Sequence, residues 1–246
     1  MNNIEIIISR FNEDLNWTTE SPFNFFQYTV YNKGNNENFN KTNVKEIINI
    51  PNVGRESHTY LYHIIENFDK LSNIMVFFPG SLNLLHKKIK AKIVLNNIIK
   101  SNLSVAYFAG NYNEKGIKET FYNFYIDNWK STDIKNLSLN GESKLQKSEI
   151  RPYGKWYTHF FGNASAKWST MCGIFSVDKR DIIQHPVEYY QSLLQTVNSH
   201  SSPEAVHYIE RSWGVIFYPL KYTNKICLNQ KNGTKKMALM FNYTNF

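Results

Sequence analysis

The chain has 246 residues, with 28 Lys and Arg against 20 Asp and Glu and a formal net charge of +8. That length accommodates one large α/β domain or two small ones, while 11 Gly and 7 Pro are too few for a disordered or repeat-built protein. Aromatic residues are abundant, with 16 Tyr, 17 Phe and 5 Trp, and no apolar run reaches the length a membrane helix requires.

From the amino terminus, Ile4 to Arg10 reads as a buried β-branched strand that ends in the polar loop SRFNEDLNW. Phe23 to Tyr31 (FNFFQYTVY) is expected to be a second strand, closed by the turn Asn32-Lys33-Gly34. An Asn-rich connection leads to a short third strand at Ile47–Ile50. In PNVGRESHTYLYHIIENF the residues Leu61, Ile64, Ile65 and Phe68 recur at i, i+3, i+4 and i+7, an amphipathic helix whose first turn Ser57 can cap. Asn73 to Phe78 is apolar enough for the sheet interior. Pro79-Gly80-Ser81 terminates it, and a helix is expected over Leu82 to Lys100.

Residues of about 109–149 read as an irregular insertion. Order resumes at RPYGKWY, followed by a strand over Met171 to Val177 and a short helix from Asp178. Pro186 suits the first position of the next helix. Ser202-Pro203-Glu204 opens the last one, AVHYIERSWGVIF, and the tail from about 220 to 246 is irregular or a small hairpin at Asn232-Gly233. This order predicts one α/β domain over 1–246, with a mixed, mostly parallel sheet flanked by helices.

Ligands in such sheets bind beyond the carboxyl ends of the strands. Arg10–Asn12, Asn32–Lys33, Asn52–Glu56 and Pro79–Ser81 should therefore surround one crevice. A loop-to-helix start with exposed N–H groups and an Arg beside it suits an anionic ligand such as a diphosphate. A capped core helix with a surface Arg is the alternative reading of the same stretch. On the crevice reading the Arg55 guanidinium is expected near the end of the first strand, contacting a ligand or pairing with Glu13 or Glu56.

In the last helix His207, Glu210 and Arg211 project from one side, at i, i+3 and i+4. Glu210 there can accept a proton while Arg211 holds it ionised or binds phosphate. A surface ion pair with a satisfied His is the plainer alternative. Ile209, Trp213, Ile216 and Phe217 should face the core.

The histidines form no metal pattern, so no metal ligand is assigned, and Asp-x-Asp is absent. Cys172 and Cys227 are too far apart for metal-ligand spacing and read as reduced, buried thiols in a cytoplasm-like compartment. The opening MNNIEIIISRF lacks the basic flank and cleavage site of a signal sequence. Lysines are spread along the chain. Their densest cluster, HKKIKAK at 86–92, reads as a solvated helix face, and no nucleic-acid-binding signature accompanies the charge.

ISRFNEDLNW, VYNKG, PNVGRESHTYLYHIIENFDKL, FFPGS, RPYGKWY, GIFSV and HYIERSWGVIF, in this order, resemble a family of largely uncharacterised proteins of large DNA viruses, bacteria and fungi, a domain of unknown function. The Asn- and Lys-rich composition suits an AT-rich genome such as that of a large virus, which would place the protein in the host cytoplasm. The family in turn resembles nucleotide-sugar glycosyltransferases of the glycosyltransferase-A fold. That resemblance implies a nucleotide-sugar donor and a hydroxyl acceptor on a glycan or glycoprotein. It implies nucleotide contacts from Arg10 and Asn12, ribose or diphosphate contacts from Asn52, Gly54 and Arg55 with Glu56 beside them, and a Gly80-Ser81 loop in the place of Asp-x-Asp. Glu210, with His207 beside it, would be the general base of an inverting transfer, Arg211 a further phosphate partner, and Trp156, Tyr157 and Trp213 stacking surfaces or core. The missing Asp-x-Asp leaves Mn²⁺ or Mg²⁺ use open. It also motivates a non-catalytic nucleotide- or glycan-binding module as the alternative, with a basic nucleic-acid-binding protein a third.

Overall fold

Ile6, Ile7 and Ile8 are all buried because β1 (Ile4–Arg10) runs through the middle of a five-stranded sheet. It pairs in parallel with β2 (Tyr28–Asn32) on one side and with β4 (Ile74–Pro79) on the other. Three consecutive buried isoleucines are what a strand covered on both faces requires, and each contributes about 1.5–3 kcal/mol by leaving water. β3 (Val44–Asn49) continues the parallel pairing beyond β2, and β6 (Phe175–Asp178) closes the other edge antiparallel to β4. The strand order is β3-β2-β1-β4-β6. Exposed Lys45 and Glu46 on the edge strand β3 discourage pairing with another chain.

The computed structural model describes residues 3–101, 105–107, 115–128 and 145–227. Alternation along the strands divides the core into two layers. Ile7, Tyr31, Met75, Phe77, Phe175 and Val177 face α1 (Arg55–Glu66), α4 (Tyr153–Phe161), α6 (Val187–Gln195) and α7 (Ala205–Ile216). Ile6, Ile8, Val30, Val76 and Phe78 face α2 (Leu85–Ser101) together with Trp17 and Phe23. Two short helices, α3 (Gly116–Thr120) and α5 (Lys179–Ile182), and a small parallel pair, β5 (Val105–Tyr107) with β7 (Lys225–Cys227), complete the described elements. This is a single α/β domain with a mostly parallel sheet between helices. No described helix is long and apolar enough to cross a membrane.

Several expected boundaries shift. Phe23–Phe25 is a 3-10 turn, and the second strand begins only at Tyr28. Phe23 packs edge-on against Trp17 and its carbonyl accepts the Tyr28 hydroxyl, so this aromatic segment fills a corner of the core instead of lengthening the sheet. The third strand is longer than expected, Val44–Asn49. Ser57 does not cap α1: the helix starts at Arg55 after Gly54, and the buried Ser57 hydroxyl has no partner among the described residues. The second helix begins at Leu85, after a loop built on Gly80 and Ser81. Met171–Gly173 is a 3-10 turn before β6. Pro186 and Glu204 stand just before their helices. The predicted hairpin at Asn232-Gly233 and most of the 109–149 segment lie outside the described residues.

What is described near that segment is tied to α7 through one buried carboxylate. Glu204 accepts from the Ile126 and Ser148 amides at 2.9 Å each, from the Tyr208 hydroxyl at 2.7 Å, and from Arg151 Nε at 3.1 Å. Removing it would leave the buried Tyr208 hydroxyl and two part-buried amides without their acceptor. Glu204→Ala is therefore expected to cost about 1–3 kcal/mol, as when a buried hydrogen-bond partner is deleted. A lowered urea midpoint at unchanged m-value is the readout, and a midpoint within error of the wild type would refute the assignment.

Candidate functional site

The chain runs β1, β2, β3 toward one edge and then crosses back to β4 on the other side of β1. The switch point of the sheet therefore lies between β1 and β4, the place where open α/β sheets form a ligand crevice. The loops after these two strands meet there. The Gly80 amide donates to Ser9 O at 2.7 Å, and a Cβ on Gly80 would lie 2.8 Å from Glu13 Oε2. Only glycine lets the two loops approach so closely.

Arg10 sits fully buried at the end of β1. Its Nε donates to Glu13 O at 2.8 Å, and its Nη1 donates to Asn32 Oδ1 at 2.5 Å and Phe11 O at 3.3 Å. The guanidinium also covers the Phe39 ring at 3.9 Å. Asn12 Oδ1 accepts from the Asn36 amide at 3.4 Å. Lys33, at the end of β2, donates its ammonium to Val53 O at 2.6 Å and to Arg55 O. Burial pulls the Lys33 pKa down to about 7 against Glu56, and its amino group fixes the entry to α1 through these carbonyls.

Asn52 is half-buried in that entry. Gly54 has φ 56° and Arg55 φ 47°. The Gly54 amide donates to His200 O at 2.8 Å, and a Cβ there would come within 2.2 Å of Val197 O. Gly54 therefore serves the packing of α1 against the end of α6. Arg55 Nη2 donates to Ser202 Oγ at 3.1 Å, which turns its guanidinium toward the α7 side. Burial lowers its pKa, and Glu56 and Glu210 counter that.

Across the crevice, Glu210 on α7 accepts the Cys172 amide on Oε1 at 2.7 Å, and its Oε2 stands 3.7 Å from Arg211 Nη1. Burial raises the Glu210 pKa, and the nearby Glu56 carboxylate adds to the rise against Arg211, the Cys172 amide and Lys87. Arg211 Nη1 donates to His207 O at 2.8 Å, and the guanidinium lies 3.8 Å over Phe124. His207 is pushed down to about 3 by burial, then by Arg55 and Arg211, so its imidazole is neutral at pH 7. The floor is Tyr60, whose hydroxyl donates to Gly173 O at 3.0 Å. Its pKa is raised by burial, with Glu56, Glu13 and Glu210 adding to the rise. No described group of three or more His, Cys, Asp or Glu side chains could hold a metal ion.

The structure thus gathers Arg10, Arg55, Glu56, Gly80, Ser81, Glu210 and Arg211 around the carboxyl end of the sheet. Trp156, Tyr157 and Trp213 lie elsewhere, in the packed core, where Trp156 is 1 % exposed among Tyr153, Phe160 and Tyr208. The sequence places Lys87 in the solvated HKKIKAK face and Cys172-Gly173 in a strand, whereas the structure seats Lys87 on Ser81 Oγ and turns the chain at Cys172-Gly173. Lys87 was visible as the first lysine after the Pro79-Gly80-Ser81 loop, whereas nothing local marks the turn.

A single α/β domain with a mostly parallel mixed sheet, whose β1 and β4 loops meet at the switch point, is the class that the fold defines. The family described as "Protein of unknown function (DUF3431)" matches residues 6–235, and the chain belongs to it. No curated protein matches the chain.

Two predictions follow from the site geometry. Gly54→Ala should destabilise the fold by about 2 kcal/mol or more, from overpacking against Val197 and an unfavourable backbone angle together; a chemical denaturation midpoint like the wild type's would contradict it. His207 binds its proton in the unfolded chain near pH 6.5 but in the folded chain only near 3. It therefore contributes stability that is present above pH 6.5 and lost as pH falls toward 3. His207→Gln should reduce the slope of stability against pH in that window by up to about 1.4 kcal/mol per unit. Equal slopes in denaturation series at several pH values would count against it.

Proposed function

We propose that the protein is a nucleotide-sugar-dependent glycosyltransferase that moves a sugar to a hydroxyl of a glycan or glycoprotein with inversion. The observation that carries this reading is Glu210. Its carboxylate is oriented by the Cys172 amide at 2.7 Å, and its proton affinity is raised by burial beside the sheet switch point. A base needs a fixed direction and a pKa nearer neutrality than an exposed carboxylate has, and this environment favours both.

In the proposed step the acceptor O–H gives its proton to Glu210 while its oxygen bonds to the anomeric carbon. The bond from that carbon to the diphosphate oxygen breaks, and the diphosphate leaves with the electron pair. The crevice supplies cations for the developing charge. Arg10 Nη2 is buried without an acceptor among the described residues, and Arg55 borders the same space. His207, neutral at pH 7, takes a positioning part through its carbonyl on Arg211.

A non-catalytic nucleotide- or glycan-binding module is the second reading, favoured by Pro79-Gly80-Ser81 where an Asp-x-Asp would stand. One variant separates the two. Glu210→Gln should keep donor binding, read as a thermal shift with nucleoside diphosphates and their sugars with and without Mn²⁺. Turnover should fall by about 10²–10⁴-fold. Undiminished turnover would remove Glu210 as the base, and donor binding without turnover in the wild type would favour the binding module.

A further inference from the structure

The cations nearest the strand ends are largely engaged by the protein itself. Arg10 Nε and Nη1 are bonded to Glu13 O, Phe11 O and Asn32 Oδ1, which leaves only its buried Nη2 for a ligand. The Lys33 ammonium is spent on Val53 O and Arg55 O, Arg55 Nη2 on Ser202 Oγ, and Arg211 Nη1 on His207 O with its face on Phe124. These groups shape the crevice walls.

Lys87 is placed differently. It rises from the first turn of α2, directly after the loop that leaves β4, and its Nζ donates to the buried Ser81 Oγ at 2.7 Å. Ser81 follows Gly80, whose amide is tied to Ser9 O on β1 at 2.7 Å, so the hydrogen bond to Ser81 seats the ammonium beside the meeting β1 and β4 loops; its charge also works to lower the pKa values of Glu13, Glu210 and Cys172. An ammonium carries three donors, and Ser81 takes one. Glu13 Oε2 accepts the Phe11 amide at 2.7 Å, which turns that carboxylate back onto its own loop. Lys88, the next residue, points elsewhere and pairs with Glu20 at 2.7 Å.

We infer that Lys87, seated on Ser81 Oγ, is the cation that binds the diphosphate of the ligand at the β1–β4 switch point. The assignment rests on the nucleotide-sugar reading above and gives the leaving-group role to a lysine outside the strand-end arginines. A compact ammonium on a flexible stem suits a group that must hold a diphosphate and then release it, as a point charge does not impose the fixed geometry of a guanidinium.

The test is calorimetric titration of the full chain with two probes, inorganic pyrophosphate and uridine or guanosine diphosphate, at low and moderate salt. Lys87→Met should lose about 10- to 100-fold in affinity for both probes and show a weaker dependence on salt. Lys88→Met should bind as the wild type does, and Ser81→Ala should fall between the two. Circular dichroism establishes that each variant is folded. Tight binding of both probes by folded Lys87→Met overturns the inference while leaving the nucleotide-sugar reading standing. Lys87-dependent binding of pyrophosphate without any nucleotide binding does the reverse, supporting the diphosphate site and removing the nucleotide donor. A wild type that binds neither probe overturns both.

Discussion

The buried guanidinium of Arg10 is the interaction on which the crevice depends. It stands at the end of β1, which pairs in parallel with β2 and β4, and it ties that end to the loop beyond it and to the end of β2. A cation with no exposed surface is costly unless its donors find acceptors; here Nε and Nη1 find Glu13 O, Phe11 O and Asn32 Oδ1, while Nη2 has no acceptor among the described residues. Asn32 in turn donates to Gly34 O at 2.9 Å and Asn49 Oδ1 at 3.0 Å. One side chain thus sets the relative height of three strand ends. The burial of Ile6, Ile7 and Ile8 holds the strands together, but burial alone is indifferent to how their ends are arranged.

On this frame the electrostatics of the site become a balance between loops. Glu13, Glu56 and Glu210 all add to the rise of the Tyr60 pKa, and Glu13 and Glu210 have raised pKa values of their own because burial disfavours their charged forms. Cations outnumber them around the crevice. The groups at the back of the site are fixed by backbone carbonyls, while Lys87 and Glu210 reach the same space from opposite sides, one from α2 and the other from α7. A base and a phosphate-binding cation need to be held by separate elements if each is to act on a different end of one substrate.

Much of this was legible in the sequence. β1 and β4 appear as apolar runs, α1 and α7 as helical periodicities, and the Pro-Gly-Ser stop after β4 as a turn. The four polar loops meet because mostly parallel topology brings their strand ends to one side. What was not legible depends on partners distant in the chain. Phe23–Phe25 has strand composition, yet Trp17 captures Phe23 edge-on at 5.0 Å and closes a turn. Ser57 has the sequence of a cap, but Gly54 and the Lys33 ammonium already set the start of α1. Trp156 could serve stacking or the core on its sequence, and the packing of α4 on α7 decides for the core.

Backbone conformation adds an independent line to the same place. Among the described residues, three non-glycine positions adopt positive φ: Leu15 at 56°, Arg55 at 47° and Cys172 at 75°. Each costs on the order of 1–3 kcal/mol and persists only where the surroundings over-determine it. Leu15 lies in the loop that follows Glu13, Arg55 opens the helix that carries Glu56, and Cys172 presents its amide to Glu210. The three strained residues therefore belong to the three segments that supply the crevice carboxylates or orient them. Relaxing any of these turns would move a carboxylate relative to Lys87 and the strand ends. Glycine would relieve the backbone angle at each position, but at Leu15, fully buried in the layer against α2, it would also leave a cavity, so the strain there is offset by packing.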